Sequence, residues 1–305
     1  MRLTLVVNRA ATGVGPRQRA TVAAALAAHH EVTVVDTAGA GDAIALASRA
    51  AADGAAVVVS LGGDGTANEA ANALAGTATA LAPLPGGSTN VYARTVGFPA
   101  SLGRATAALS AALAAGTRRR VGLGRAGDRR FLFHAGAGFD ARVVALVERH
   151  GWAKRTAGPL AYAGASLATW LGRAEHPCLE VVVDGEALSG PLALCLKTDP
   201  YTYLGPRPLT MVPEAGLDRP LAVVVAHDLG VATWLPALCS ALHGGRRLRE
   251  LPGVSVRTGV AAVDIAMSAA DESVPHQADG EYLGAPRTLA IRHEPACLEL
   301  VVPAR

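Results

Sequence analysis

The 305-residue sequence contains little lysine, few aromatic residues and no long apolar segment. Its two lysines are Lys154 and Lys197, and neither lies near a glycine-rich turn in the first third of the chain. A P-loop and a protein kinase both need a lysine for their phosphates, so these two classes are excluded. The longest apolar segment near the C-terminal half, 229–242, is shorter than the roughly 20 residues that a membrane-spanning helix needs.

Charged residues and cysteines are also scarce. The net charge of +3 is too small to indicate a nucleic-acid partner. The basic cluster 118–120 is interpreted as a solvated strand entry, with contact to anionic lipid headgroups as the alternative. No signal peptide is predicted, because the N-terminus leads directly into a strand, and a cytoplasmic location is expected. Four cysteines without metal-like spacing are predicted to be small buried residues: Cys178, Cys195, Cys239 and Cys297.

Apolar runs alternate with alanine-rich helical segments over the first third of the chain, which predicts parallel strands with helical crossovers. The predicted strands are 3–7, 31–35, 55–60 and 79–82, and the predicted helices are 17–29, 42–52, 66–74 and 89–96. Parallel sheets place ligands at the carboxyl ends of their strands. Four loops should therefore converge on one edge of the sheet: those at Asn8, Thr37, 62–65 and 85–90.

Strand-like runs dominate after about residue 120, and they predict a second, mostly antiparallel domain. The predicted strands are 130–135, 179–183, 192–197, 221–226, 254–257, 261–267 and 289–293. The predicted helices are Ala141–Arg149, Leu160–Leu171 and Val231–Leu242.

The glycine-rich turn 62–66, Gly-Gly-Asp-Gly-Thr, follows an apolar strand and precedes a helical segment. Its N–H groups and the N-terminus of that helix can hold phosphate. Asp64 in place of a lysine indicates a cation-assisted site, in which the carboxylate holds Mg²⁺ against nucleotide phosphates. The alternative is a plain strand-to-helix turn capped by Asp64 or Thr66, with Glu69 closing a capping box.

Four segments carry a family resemblance and occur in the family's order: GGDGTANEAANAL, PLPGGSTNVYARTVGFP, HAGAGFDARVV and DGEYLG. Together they resemble the bacterial diacylglycerol kinase catalytic-domain family of soluble lipid kinases, which is related to sphingosine kinases. The resemblance implies a doubly wound, NAD kinase-like α/β nucleotide-binding domain followed by a β-sandwich-like domain, with the active site between them. It implies domains at 1–122, completed by 295–305, and at 123–294, where a lipid pocket is expected.

The implied activity is ATP-dependent, Mg²⁺-assisted phosphorylation of a diacylglycerol-like or sphingoid-like hydroxyl at a membrane surface. No nucleic-acid partner is expected, and a homodimer is left open. By the resemblance, one group of residues would bind the nucleotide: Asn8, Arg9, Ala10, Ala11, Thr12, Thr37, Gly62, Gly63, Gly65, Thr66, Asn68, Glu69 and Ser88. Others would lie in the substrate region: Asn90, Arg94 and Asp279. Asp64 and Glu281 would be catalytic, Asp64 through the metal and Glu281 as general base.

Two copies of Asp-Gly-Glu compete for the role of the base. Asp-Gly is a strong hairpin signal, and 184–186 is interpreted as a hairpin turn alone. The copy at 279–281 is assigned the catalytic role only because the family pattern places it there. A carboxylate suits that role, since it can accept the proton of a weakly nucleophilic lipid hydroxyl.

The sequence departs from the family pattern at three places. Arg9 stands where many relatives have proline, and Val91 stands where many have aspartate. Arg219 and Pro220 replace the second Asp and the Gly of a segment that can hold a structural Mg²⁺ in relatives. Because a cation at Arg219 repels Mg²⁺, that structural site is predicted to be absent or altered.

Several assignments stay open on the sequence. His134 either polarises a substrate group or is a satisfied histidine between domains. The aromatic residues around the predicted helix 160–171 either pack in a core or rim a lipid entrance: Trp152, Tyr162 and Trp170. Two other functions compete with a lipid kinase. One is an NAD kinase, which shares the glycine motif, and the other is a catalytically degenerate protein that binds lipid or nucleotide.

Overall fold

The structure is a computed structural model that describes residues 1–149, 164–166, 168–169, 178–268 and 273–303. The chain divides into two compact units, Met1–Leu123 with Pro295–Arg305, and Gly124–Glu294. Most of the predicted helix Leu160–Leu171 lies outside the described residues, although 164–166 and 168–169 are helical. Three aromatic residues, for which core packing and a lipid entrance were the alternatives, also lie outside them: Trp152, Tyr162 and Trp170.

The first unit is an α/β structure with four consecutive parallel strands. Its strands are β1 (Arg2–Val7), β2 (Glu31–Asp36), β3 (Val57–Gly62) and β4 (Ala80–Pro85), followed by the start of β5 (Arg118–Ala126). Its helices are α1 (Pro16–Ala27), α2 (Asp42–Ala52), α3 (Asp64–Leu74), α4 (Val91–Val96) and α5 (Leu102–Ala115).

In the strand order β2-β1-β3-β4, the chain places β2 on one side of β1 and then β3 and β4 on the other side, so the sheet is doubly wound. Helices α2 and α3 pack together, as do α1 and α5, and each sheet face carries one of these pairs. Every residue of β3 and β4 is buried, whereas none of β2 at the sheet edge is fully buried. Apolar runs such as Val57-Val58-Val59 form these central strands because both of their faces are covered.

The last strand, β18 (Thr288–Val301), is much longer than the predicted 289–293. Its final residues belong to the first unit, where Leu300 pairs in parallel with Leu81 of β4. The fully buried Leu298 and Leu300 explain the extension, because they add a fifth strand's apolar side chains to the core.

The second unit is built mainly of antiparallel strands. They are β6 (Arg129–Phe131), β7 (His134–Gly138), β8 (Leu179–Val183), β9 (Glu186–Gly190), β10 (Leu192–Leu196), β11 (Thr202–Leu204), β12 (Arg207–Leu209), β13 (Leu221–Ala226), β14 (Val254–Val260), β15 (Ala262–Met267), β16 (His276–Ala278) and β17 (Glu281–Gly284). Its helices include α6 (Phe139–Arg149), α7 (Val231–Leu242) and a 3₁₀ turn at Leu248–Glu250.

Two sheets of this unit share one apolar core. One is a six-stranded sheet with the order β14-β13-β10-β7-β16-β17, and the other contains β18-β15-β8-β9. Inward-facing residues of both sheets meet in that core, among them Val181, Val223 and Ile265. The predicted fold class, an α/β unit followed by a β-sandwich-like unit, is confirmed.

The structure corrects two predictions for the second part of the chain. The predicted strand 130–135 is two strands, because the Asp279 carboxylate accepts the backbone N–H groups at the junction between β6 and β7. The cysteines are not uniformly buried either. Cys195 is buried, Cys297 is half-buried, and Cys178 and Cys239 are exposed. Among the described residues, no helix has the length and hydropathy to cross a membrane.

Candidate functional site

Three loops of the first unit meet through glycine backbones at the carboxyl ends of β1, β3 and β4. The Gly13 N–H donates to the Gly86 carbonyl at 2.8 Å, and the Gly86 N–H donates to the Gly62 carbonyl at 2.7 Å. A Cβ atom at Gly86 would lie 2.9 Å from the Gly62 nitrogen, and one at Gly87 would lie 2.7 Å from the Gly63 Cα. These glycines therefore serve the contact between loops, because only a residue without a side chain allows it.

Helix α3 begins directly after this contact. Its N-cap is Gly63, and the Ala67 N–H is the donor that closes the first turn on the Gly63 carbonyl. The N–H groups of residues 64–66 consequently have no acceptor within the helix. Gly65 in this turn is exposed, and a Cβ there would meet nothing within 4 Å.

The alternative of a capping box at Thr66 and Glu69 is wrong, because α3 starts two residues earlier and has no side-chain cap. The Thr66 hydroxyl instead accepts the side-chain amide of Asn8 at 3.0 Å. The Glu69 carboxylate accepts the N–H groups of Gly41 and Ala43 at 2.9 and 3.1 Å, and so holds the start of α2. Glu69 thereby fixes the loop that follows β2.

The Asp64 carboxylate lies against the first turn of α4. Its Oδ2 accepts the Val91 N–H at 3.0 Å, and its Oδ1 accepts the Tyr92 N–H at 2.9 Å. Burial raises the pKa of Asp64, although these two hydrogen bonds and the charge of Arg94 act in the opposite direction. The carboxylate thus joins the glycine turn after β3 to the helix after β4.

The other predicted nucleotide residues surround this edge with differing exposure. Asn8 is half-buried, and its Oδ1 accepts the Ala10 N–H at 3.0 Å, which shapes the loop after β1. Asn68 is buried beside Asn72, which donates to it. Exposed members of the predicted set are Arg9, Ala10, Thr12 and Ser88, and half-buried members are Ala11 and Thr37.

The predicted substrate residue Asn90 has a structural part in the loop after β4. It adopts the left-handed conformation (φ 53°), and its side chain both donates to the Gly87 carbonyl and accepts the Gly87 N–H. Asn is among the residues that tolerate this conformation. Arg94, one turn further along α4, is half-buried.

In the second unit, Asp279 and Glu281 lie on the hairpin between β16 and β17. Asp279 has φ 50° and Gly280 has φ 78°, as the tight two-residue turn requires. The Asp279 carboxylate accepts the N–H groups of Leu132, Phe133 and His134 at 2.7–3.1 Å. The Glu281 side chain is 54% exposed and pairs with Arg129 at 3.1 Å. The turn is held firmly while the glutamate at its end stays accessible.

A buried polar cluster lies behind this hairpin. The Gly280 N–H donates to Gln277 Oε1 at 2.9 Å, which fixes the orientation of the amide. Gln277 Nε2 then donates to Asp140 Oδ2 at 2.5 Å and lies 3.1 Å from His134 Nδ1. The Tyr201 hydroxyl donates to Asp140 Oδ1 at 2.7 Å.

His134 is neutral in this cluster, because its Nδ1 accepts from Gln277 and burial lowers its pKa to about 3. Its ring also stacks on that of Tyr201, with centroids 4.2 Å apart. Of the two alternatives for His134, the satisfied histidine is favoured, and its partners lie within the second unit. No sequence pattern indicates Asp140, Tyr201 or Gln277, since residues so distant along the chain form no local motif.

The second Asp-Gly-Glu copy forms a closely similar hairpin between β8 and β9. Asp184 has φ 46°, and its carboxylate accepts the N–H groups of Ala261 and Ala262. Glu186 differs from Glu281 because Arg257 contacts both of its carboxylate oxygens, at 2.8 and 2.5 Å. Among the described residues, no three His, Cys, Asp or Glu side chains are grouped as metal ligands.

Comparisons with known proteins agree with the fold. Residues 2–126 match the family model described as the diacylglycerol kinase catalytic domain. No curated protein matches the chain significantly.

Three structures from Bacillus anthracis str. Sterne share the whole fold. One, provisionally named a diacylglycerol kinase, has a TM-score of 0.79, 22% identity and coverage of 99% of this chain and 95% of that one. Another with the same provisional name has a TM-score of 0.77, 20% identity and coverage of 99% and 97%. A third, named a diacylglycerol kinase, has a TM-score of 0.72, 19% identity and coverage of 99% and 96%.

The glycine contact generates a prediction about stability. Gly86→Ala should destabilise the protein by about 1–3 kcal/mol, because its Cβ would also lie 2.6 Å from Val14 Cγ2. Gly65→Ala is the matched control, since its Cβ meets open space, and it should leave stability unchanged or raise it by up to about 1 kcal/mol. Urea unfolding of both variants measures the difference, and equal stabilities would contradict the contact.

Asp64→Asn should also lose stability, by about 1–3 kcal/mol, because the amide nitrogen must face a backbone N–H of Val91 or Tyr92. Asp53→Asn is the control, since that exposed carboxylate lies 3.7 Å from Arg49 at the surface. It should change stability by no more than about 0.5 kcal/mol. An Asp64→Asn protein as stable as the control variant would show that the carboxylate does not hold α4.

Proposed function

We propose that this protein is an ATP-dependent lipid kinase that transfers a phosphoryl group to the hydroxyl of a diacylglycerol-like or sphingoid-like lipid. The observation that carries the proposal is the glycine-rich edge of the first unit, in the region that matches the diacylglycerol kinase catalytic domain. The match to this family model supports a kinase of this type.

ATP would bind at the N-terminus of α3. The N–H groups of residues 64–66 offer an anion site, and exposed Gly65 lets a phosphate approach the backbone closely. Asn8 and Thr66 are already held together at this edge, and the exposed Ser88 lies in the neighbouring loop. No lysine is needed, since backbone donors and a helix terminus stabilise phosphate without one.

Mg²⁺ is suited to this edge only as a partner of the nucleotide. The described residues offer no cluster of three ligands, and Mg²⁺ commonly binds one or two carboxylates together with substrate phosphates and water. Asp64 would be that carboxylate, through lone pairs that its two backbone hydrogen bonds leave over. When bound, the ion would neutralise charge that develops on the phosphates during transfer.

Glu281 would be the general base. Its carboxylate is accessible, and the hairpin that carries it is held by Asp279 and Gln277. A fixed carboxylate within reach of the acceptor hydroxyl can take its proton as the oxygen attacks phosphorus. Arg129 would orient the carboxylate through its contact with Oε2.

A lipid acceptor is supported by an apolar cavity of about 170 Å³ within the second unit. Side chains of β10, α6 and α7 line it, including Leu194, Val143 and Trp234, and the polar groups of Asp140 and Tyr201 lie in the same lining. Apolar walls with a few convergent polar groups are typical of a ligand-binding pocket.

The activity is tested by incubating the purified protein with ATP, Mg²⁺ and mixed micelles of diacylglycerol, monoacylglycerol or sphingoid base. A phosphorylated lipid detected by mass should appear with a diacylglycerol-like or sphingoid-like acceptor, and preparations lacking ATP should give none. Formation of NADP from NAD and ATP would instead identify an NAD kinase. Ligand binding without transfer to any acceptor would identify a degenerate binding protein.

The two Asp-Gly-Glu copies provide a matched pair of variants. Glu281→Gln should lower kcat by about 10²- to 10⁴-fold, the usual contribution of a general base, with little change in the KM for ATP. Glu186→Gln should leave both constants close to those of the wild type, because that glutamate is engaged by Arg257. Steady-state kinetics measure kcat and the KM for ATP of both variants. Equal losses of kcat at the two positions would mean that the wrong carboxylate is assigned.

A further inference from the structure

The second unit contains a fully buried lysine at the end of β10. Lys197 is completely inaccessible to solvent, and it is one of only two lysines in the chain. Its Nζ donates to three backbone carbonyl oxygens, those of Gly216, Leu217 and Arg219, at 2.9, 3.0 and 2.8 Å. The three acceptors come from a stretch of four residues, so this short segment is folded around the nitrogen.

The geometry requires the charged form of the side chain. A protonated lysine has three N–H donors, and each has a carbonyl acceptor here. A neutral amine would have two donors and leave one of the three oxygens without a partner. Burial of a charge is costly unless it is paired and hydrogen-bonded, and this arrangement provides all three hydrogen bonds.

A group of backbone carbonyls that converge on one point is also the kind of site that binds a hard cation. The family resemblance implies a structural Mg²⁺ in this segment, but the residues present do not fit one. Mg²⁺ requires oxygen ligands at about 2.0–2.1 Å in near-octahedral geometry. Three of the segment's carbonyls are already bound to an ammonium, and exposed Arg219 adds a second positive charge.

The position of the segment explains why it needs a cation. It joins Val212, which is buried in a core cluster on the six-stranded sheet, to Leu221, which is buried at the start of β13. Residues 213–214 and 218–219 between them are exposed. The carbonyl oxygens of residues 216, 217 and 219 nevertheless face the buried Lys197 ammonium. Without a cation, the three oxygens would repel one another.

We infer that the Lys197 ammonium takes the place of a structural divalent cation, so that segment 213–220 is held by a cation that is part of the chain. The second unit then needs no divalent ion for its stability, whatever metal the proposed reaction uses. The inference depends on neither the acceptor nor the occurrence of phosphoryl transfer.

The first test is urea unfolding of the wild-type protein, treated with excess EDTA or supplied with Mg²⁺ or Ca²⁺, with K⁺ at matched ionic strength as the control. The unfolding midpoint should be the same in EDTA and in either divalent ion. A midpoint that falls in EDTA and is restored by Mg²⁺ or Ca²⁺ would overturn the inference, as would a stoichiometric divalent ion found in the purified protein by elemental analysis.

The second test removes the ammonium. Lys197→Met keeps most of the side-chain volume but no donor, and it should lower the unfolding midpoint clearly. Lys197→Ala lacks three carbons and the nitrogen, so n-propylammonium should raise its midpoint, whereas tetramethylammonium, which has no N–H donor, should not. A Lys197→Met protein as stable as the wild type would overturn the inference. If neither variant folds, the wild-type measurement in EDTA still decides.

Discussion

In the first unit, the Gly86 N–H donates to the Gly62 carbonyl at 2.7 Å, and a side chain on Gly86 would separate these two backbones. The contact brings the loop after β4 against the turn after β3, and Gly13 attaches the loop after β1 to the same place. The N-terminus of α3 thereby lies next to the junction of three loops. The glycines of the turn 62–66 therefore differ in their surroundings. Gly62 and Gly63 lie in the contact between loops, whereas exposed Gly65 faces open space.

A second principle recurs in both units: carboxylates hold backbone N–H groups. Asp64 fixes the start of α4, Glu69 fixes the start of α2, and Asp279 fixes the junction of β6 and β7. Hydrogen bonds to a charged acceptor are stronger than neutral ones, and each of these spans many residues of sequence. The bare aspartate in the glycine turn therefore has a structural explanation that does not depend on metal, and the proposed catalytic role adds to it.

Four strands and four helices of the first unit could be predicted closely from sequence, because each alternation of apolar runs and alanine-rich segments is local, whereas helix α5 was not predicted. Helix α2 begins and ends where it was predicted. The length of β18 could not be predicted, since Leu298 and Leu300 are in a strand only through pairing with a distant part of the chain. The cluster of Asp140, Tyr201 and Gln277 could not be predicted for the same reason. Lys197 could be singled out by rarity alone, because nothing in the sequence pairs it with three carbonyls.

The two Asp-Gly-Glu hairpins share a local sequence pattern but differ in their tertiary contacts. In both hairpins the aspartate has a left-handed backbone conformation, and its carboxylate accepts N–H groups of a neighbouring backbone segment. The two turns are therefore closely similar. They differ in the oxygens of the following glutamate. Arg257 engages both oxygens of Glu186, whereas among the described residues Arg129 contacts Oε2 of Glu281 and no donor contacts Oε1. A base needs an oxygen that can accept the substrate's proton, and Glu281 has one whose lone pairs are not already committed.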